Sequence, residues 1–329
     1  FPRPYAMHVF RGLPHALQRR PTALAIGNFD GVHTGHQALL QGVAEAAAAR
    51  GLLPAVVTFE PHPRERFGVP PARISTLRDK VGAMLACGIE RVHMFPFHTH
   101  LAAMSAEDFV RKILVEGLHA EWITVGEDFR FGSDRKGDVA LLERMGQELH
   151  FETAISPTLY HADARVSSTR VRRALAAGDF YEAEMMLGRR YALTGRVIHG
   201  KALGRTLGFP TLNIAPLPPG SKADPAVRGV YAVEIEGLGP AVYPGVASLG
   251  LRPTVASERR WLLETHVFDW QGDAYGRVVR INFIEKLRDE KKFSGLDELK
   301  AAIAEDARRA RLVLGCAPSP EAGADSGML

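Results

Sequence analysis

The sequence predicts a doubly wound, parallel-sheet α/β domain followed by an antiparallel β-barrel with a C-terminal helix. Three observations carry this. The chain has 329 residues, more than one core usually supports and about right for two. From Thr22 to Ile155, strand-length apolar runs alternate with helical patterns, the rhythm of a parallel sheet with crossover helices. Beyond Tyr191, alternating runs bounded by glycine and proline take over, as in an antiparallel barrel or sandwich.

In the first half, strands are expected at 23–26, 55–59, 91–95, 122–125 and 151–155. Helical runs at 35–50, 77–87, 106–117 and 138–147 separate them, giving βαβαβαβαβ. Two short helices, 169–176 and 180–187, carry the chain to a domain boundary expected between 188 and 189. The second domain, 189–316, reads as strands at 191–198, 229–235, 241–247, 261–268 and 278–287, closed by an amphipathic helix at 296–314. Residues 215–228 are rich in proline and glycine and too long for a simple hairpin, which leaves a flexible lid and a plain surface loop both open. Residues 317–329 are small and polar and read as a disordered tail.

Composition narrows the class. Hydrophobic residues make up 46% and charged ones 24%, so a folded chain in water is expected. No apolar run approaches the roughly 20 residues that cross a bilayer. The first twenty residues mix proline, histidine and arginine without the apolar core of a secretory signal, so a cytoplasmic location is expected, and Met7 reads as close to the natural start. Cys87 and Cys316 supply neither a disulfide framework nor metal-ligand spacing. The net charge of +4 suits an anionic partner, but the charges are spread along the chain, and nucleotides satisfy that bias as well as nucleic acid.

The run Ala25-Ile26-Gly27-Asn28-Phe29-Asp30-Gly31-Val32-His33-Thr34-Gly35-His36 leaves the first strand, turns on glycines and enters a helix. That is where open α/β sheets bind ligands, at a helix N-terminus whose unpaired N–H groups attract phosphate. His33 and His36 are three apart, so both imidazoles can face one way across the first turn, and Gly35 removes a side chain that would block a phosphate. An HxxH pair alone reads as readily as surface histidines or a metal pair; the strand, glycine and helix setting points to phosphate chemistry. Transfer of a nucleotidyl group can rest on positioning and on donors that neutralise phosphate charge. Farther on, Arg165-Val166-Ser167-Ser168-Thr169-Arg170-Val171-Arg172 offers helix-capping hydroxyls followed by arginines, suited to a second phosphate clamp.

These segments resemble the HxGH nucleotidyltransferase superfamily, and within it the bacterial bifunctional riboflavin kinase/FAD synthetases. Thr58-Phe59-Glu60-Pro61-His62-Pro63 and Val125-Gly126-Glu127-Asp128-Phe129-Arg130-Phe131-Gly132 are similar to the same family's adenylyltransferase half. The resemblance implies an FMN adenylyltransferase domain at 1–188. In it His33 and His36 would stabilise the transferring phosphates, with Gly27, Asn28, Gly35, Arg165, Ser168 and Arg172 holding ATP or pyrophosphate. Phe59, Pro61, His62 and Asp128 would lie by the flavin, an aromatic face stacking on the isoalloxazine. Asp128 stands where some members carry Asn, and Pro61 and Pro63 could equally shape a loop.

No Walker phosphate loop occurs anywhere, so any kinase site needs another device. Gly195–Asn213 packs glycines around basic side chains, then places Thr211 and Asn213 on one face of an extended chain, where both oxygens can reach one Mg²⁺. The pattern G-x-V-x-H-G-x-x-x-G-R-x-L-G-x-P-T-x-N resembles riboflavin kinases, with Leu212 where Ala is common. The segments 245–254, carrying Ser248 in place of a frequent Asn, and 287–293 are similar to that family too. The resemblance implies ATP contacts at Gly200, Lys201, Gly204, Arg205 and Pro210, a metal at Thr211 and Asn213, a flavin contact at Arg288, and Glu264 as the acceptor for the ribityl hydroxyl proton. His266, on the same strand face as Glu264, is assigned no chemistry. Riboflavin, FMN, FAD and ATP are the expected partners, with no nucleic acid and no membrane. Two other readings are open: a barrel that binds nucleic acid, and a flavin-binding regulator that has lost its chemistry.

Overall fold

A computed structural model describes residues 7–68, 70–200, 208–253 and 259–316. The chain divides into two compact units. The first holds residues up to Arg73, Leu77–Val171 and Met185–Gly188; the second holds Ile74–Thr76, Arg172–Glu184 and Arg189 onward.

The first unit is built on six strands, β1 (His8–Arg11), β2 (Thr22–Ile26), β3 (Leu53–Phe59), β4 (Arg91–Phe95), β5 (Ala120–Gly126) and β6 (Glu152–Ser156). Their order is β1-β4-β3-β2-β5-β6, and every neighbouring pair is parallel. The chain winds outward from β2 in both directions, so the topological switch lies beside the carboxyl end of β2. Leu24, Ile26, Ala55, Val57, Ile123 and Val125 pack on one face, while Ala23, Ala25, Val56 and Trp122 pack on the other. Burial on both faces is why these strands read as unbroken apolar runs. Full burial of Leu24, Val57 or Ile123 contributes about 2 kcal/mol each.

Crossover helices cover the sheet: α1 (Thr34–Arg50), α2 (Leu77–Ala86), the short α3 (Thr99–Ala103), α4 (Ala106–Asp108), which runs on as a π-helical turn over Phe109–Val115, and α5 (Val139–Leu149). Alanine-rich α1 buries Leu39, Leu40, Val43, Ala46 and Ala47 and stops on Gly51 at φ 66°. A two-residue hairpin, β7 (Tyr160–His161) with β8 (Ala164–Arg165), precedes α6 (Ser168–Ala177) and α7 (Phe180–Leu187). Edge strand β1 was not expected from sequence, because its four residues are mostly exposed and carry no periodicity.

The second unit is an antiparallel six-stranded barrel: β9 (Ala192–Arg196), β10 (Leu212–Ile214), β11 (Gly229–Glu236), β12 (Tyr243–Pro253), β13 (Arg259–Val267) and β14 (Val278–Arg288), in the order β10-β13-β12-β11-β14-β9. The Ile198 N–H donates to the Asn213 carbonyl at 2.8 Å, and this bridge nearly closes the barrel between its two edges. Helix α8 (Leu296–Val313) lays Ala307 and Ala310 against Val230, Ala232, Val246 and Phe268. Residues 172–184 pack with this unit: the Phe180 ring meets those of Tyr191, Tyr231 and Phe283. In the segment 215–228, Ala223, Ala226 and Val227 are buried, Trp261 Nε1 donates to Asp224, and Arg228 lies over the Trp261 ring. Of the two readings open for that segment, the structure shows a packed loop. The tail, 317–329, lies outside the described residues.

Candidate active sites

The loop after β2 is shaped by three left-handed residues, Phe29 (φ 50°), Gly31 (φ 83°) and Val32 (φ 42°). Glycine takes that conformation freely; a β-branched valine does so only under strain, which here is held in place by the full burial of Phe29 and Val32. The Gly27 N–H donates to Val57 O at 3.0 Å, and a Cβ on Gly27 would sit 3.1 Å from the Phe29 ring. His33 is the N-cap of α1: its Nδ1 accepts the His36 N–H at 3.2 Å. With Nδ1 accepting, a neutral His33 ring carries its proton on Nε2. The His33 and His36 rings stack with centroids 3.7 Å apart, and His36 meets Phe29 edge-on at 5.1 Å.

Ser168 Oγ donates to the Asp30 carbonyl at 3.0 Å, tying the start of α6 to the loop. Asn28 is exposed, and its carbonyl accepts from Thr58 Oγ1 at 3.2 Å. Arg165 forms an ion pair with Asp128, and that hydrogen bond holds the Asp128 carboxyl below the usual carboxylate range. Two residues assigned by resemblance to different substrates thus meet. Ser167 Oγ caps α6 by accepting the Arg170 N–H, while the Arg170 guanidinium holds the β7–β8 hairpin through the His161 and Ala164 carbonyls. Arg172 counts with the second unit.

Beyond β3, His62 is buried and caps the turn at Pro63–Glu65, its Nδ1 accepting from Arg64 N–H and its own N–H donating to Glu65 Oε1. Pro61 is exposed on the same loop. Phe59 meets Phe97 edge-on at 5.6 Å, and Phe97 meets Phe67 at 6.2 Å. Phe67 is 71% exposed, a ring with one face left to water. Sequence reasoning missed Phe67 and Phe97. The available signal was position: Phe97 lies just past the carboxyl end of β4, the ligand edge of the sheet.

In the barrel, register decides. Asn213 on β10 pairs with Glu264 on β13, and Glu264 pairs with Ser248 on β12. Directly opposed residues share a face, with Cβ atoms about 5 Å apart, so the three form one row. The row continues through Val230 to Arg288. Among the described residues, the buried Asn213 Oδ1 has no hydrogen-bond partner, and a Cβ on Gly200 would clash with Asn213 Nδ2. An orphaned amide oxygen beside a glycine cradle fits a hard cation. Among those residues no cluster of three or more His, Cys, Asp or Glu could hold a metal. His266 Nδ1 hydrogen-bonds the Pro210 carbonyl at 2.8 Å, and burial holds its pKa below the usual range. Arg288 is gripped by Asp306 through three N–H···O contacts and lies over the Phe293 ring. Lys201, Gly204 and Arg205 lie outside the described residues.

A doubly wound unit with paired histidines at a helix mouth, joined to a barrel with an amide and a carboxylate in one row, defines a two-site transferase of phosphate chemistry. A profile of the FAD synthetase family matches residues 15–170, and one of the riboflavin kinase family matches 187–314. A bifunctional riboflavin kinase/FMN adenylyltransferase of Escherichia coli (strain K12) is 45% identical over 94% of this chain and 98% of its own. One from Pseudomonas fluorescens is 43% identical over 95% and 99%. A crystal structure described as a macrolide-efflux protein from Streptococcus pneumoniae superposes with a TM-score of 0.69 at 28% identity, over 91% of this chain and 97% of that one. Among the described residues no helix is long and apolar enough to cross a membrane. The chain belongs to the bifunctional riboflavin kinase/FMN adenylyltransferase family.

Proposed function

We propose that the two activities of this family are divided between the two constellations, with the functional boundary near residue 188. The chain phosphorylates riboflavin to FMN with ATP through its C-terminal half, and transfers AMP from ATP to FMN through its N-terminal half, releasing pyrophosphate. The observation that supports the assignment most is the stacked His33–His36 pair at the mouth of α1, with His33 Nδ1 accepting the His36 N–H.

In adenylyl transfer an FMN phosphate oxygen attacks the α-phosphorus of ATP, and the bond to pyrophosphate breaks. His33 and His36 donate to the phosphate oxygens where charge grows, while Gly27, Asn28, Gly35 and the positive end of α1 line the approach. Ser168, Arg165 and Arg172 take the pyrophosphate end. Phe59, Pro61, His62 and Asp128 border the flavin, and Phe67 and Phe97 extend that aromatic wall. Asp128 holds Arg165 until polyphosphate competes for the guanidinium.

In the kinase reaction Glu264 accepts the proton of the ribityl 5′-hydroxyl as that oxygen attacks the γ-phosphorus of ATP, and the bond from the γ-phosphorus to the bridging oxygen breaks, releasing ADP. Thr211 and Asn213 would hold Mg²⁺, which when bound neutralises phosphate charge. Gly200, Lys201, Gly204, Arg205 and Pro210 surround the ATP, and Arg288 reaches the flavin from the end of the row that starts at Asn213. We read the chain as cytoplasmic, acting on small molecules and not on nucleic acid or membrane; Cys87 and Cys316, both thiols, suit a reducing compartment.

The test is a pair of substitutions assayed with riboflavin, ATP and Mg²⁺. His36→Ala lets FMN accumulate with little FAD, a loss on the order of 10²–10³ in adenylylation. Glu264→Ala stops FMN formation, yet supplied FMN still becomes FAD. Loss of both steps in either folded variant overturns the two-site assignment.

A further inference from the structure

Behind the phosphate loop lies a cluster of buried charge that the reactions above do not use. Lys80 on α2 is 4% exposed, Asp30 4%, and Glu65 and Arg73 8% each. Both carboxylate oxygens of Glu60 accept from one Arg73 nitrogen at 2.5 Å, and Arg73 reaches Glu65 at 3.6 Å. Glu65 also accepts the His62 N–H. Lys80 is attracted by Glu60 and Asp30 and repelled by Arg73. Three carboxylates therefore share two cations.

These charges sit at a junction. Asp30 lies between Phe29 and the left-handed Gly31 and Val32, three residues before His33, and its carbonyl takes the Ser168 hydroxyl. Glu60 and Glu65 flank Pro61 and His62. A strained loop persists only where its surroundings over-determine it, and a buried carboxylate needs a counter-ion. We propose that Lys80 is a positioning residue for adenylyl transfer: its buried ammonium holds the carboxylates of Asp30 and Glu60, and so keeps the histidine loop and the Pro61–His62 loop in one arrangement.

Charge also matters directly. With Lys80 protonated, the five groups carry one net negative charge behind the loop that must receive a polyphosphate. With it neutral they carry two, which opposes the incoming nucleotide. Burial brings the Lys80 ammonium down to about 8; Glu60 pulls it up, Arg73 pushes it further down and Asp30 pulls it up. Adenylylation therefore weakens as pH rises through that range.

The inference rests on the loop at 27–36 being the adenylylation site; riboflavin phosphorylation by the same chain controls for the second unit, and a thermal melt for the first. Lys80→Met is expected to raise KM for ATP and lower kcat in FMN adenylylation, with kcat/KM down at least about tenfold and riboflavin phosphorylation unchanged. Lys80→Arg, whose charge does not titrate, is expected to restore most of that activity and to carry the plateau to higher pH. Adenylylation by Lys80→Met within twofold of the unsubstituted chain, or the same alkaline fall in Lys80→Arg, overturns the proposal. If a thermal melt shows the first unit of Lys80→Met unfolded, the Lys80→Arg profile decides alone. His36→Ala, run alongside, separates the two ideas: full FAD synthesis there would sink the site assignment, whereas its loss with an unaffected Lys80→Met would sink Lys80 only.

Discussion

In the first unit the reacting histidines ride on a loop whose Phe29, Gly31 and Val32 occupy left-handed conformations, held by burial and by charges behind it; in the barrel, Asn213, Glu264 and Ser248 occupy one row set by ladder hydrogen bonds. The loop site depends on residues that never meet substrate, so its chemistry is open to change from several sides. The ladder site takes its geometry from backbone pairing, which tolerates change nearby and fails when a member of the row is lost. Register places Asn213 opposite Glu264 whatever their neighbours are.

The comparison breaks hardest at Asn213. Asn213→Ala removes an amide whose oxygen, among the described residues, has no protein partner, so folding loses little while the phosphate end of the kinase site would lose a cation ligand. Riboflavin phosphorylation is expected to fall on the order of 10²–10³, with FAD formation from supplied FMN intact. A kinase rate within a few fold of the unsubstituted chain would mean the row does not carry the chemistry. The measurement is steady-state FMN formation across a Mg²⁺ titration.

Much of this contrast was legible beforehand, for a physical reason. Parallel strands buried on both faces announce themselves as apolar runs, and five of the six strands of the first sheet were found at nearly their observed limits. Edge strand β1 and the three-residue β10 were not, because pairing, not composition, makes them strands. The histidine pair was visible as a pattern, but its N-capping bond and ring stacking were not, since they depend on backbone angles that a valine at position 32 gives no hint of. Phe67 and Phe97 are 30 residues apart and meet only because β3 and β4 are neighbours in the sheet. Asp30, Glu60, Arg73 and Lys80 are spread along the chain in sequence, and only the fold gathers them.

A second prediction separates the units by acid. His93 is buried on β4, stacked on Phe10, its Nδ1 bonded to the Gly12 carbonyl at 3.3 Å. Burial brings it down to about 4, against a smaller opposing pull from Gly12. Above about pH 6.5 folded and unfolded chains both hold the ring neutral; below it the unfolded chain takes up a proton that the folded one refuses until about pH 4. Stability of the first unit is therefore present above that window and lost as pH falls through it, by about 3 kcal/mol in full. His93→Gln, a neutral donor, removes this dependence. Urea midpoints read by adenylylation should converge with pH in that variant, while midpoints read by kinase activity should not change on substitution.

The smallest effect is the sharpest discriminator between loop and ladder. Gly35 is the second residue of α1, and a Cβ there would stand 3.3 Å from Cε1 and Nδ1 of His33. Alanine is the better helix former by up to about 1 kcal/mol, so Gly35→Ala is expected to leave the unit as stable or slightly more stable. The same methyl presses the His33 ring by a few tenths of an ångström, and His33 can yield only by loosening its bond to the His36 N–H or its stack on His36. Adenylylation should drop roughly tenfold, because donors displaced from the phosphate by fractions of an ångström lose most of their advantage. Stability and activity thus move in opposite directions, which a general weakening of the fold cannot produce. A thermal midpoint that falls together with adenylylation would show that the loop site, like the ladder site, is held by the fold as a whole.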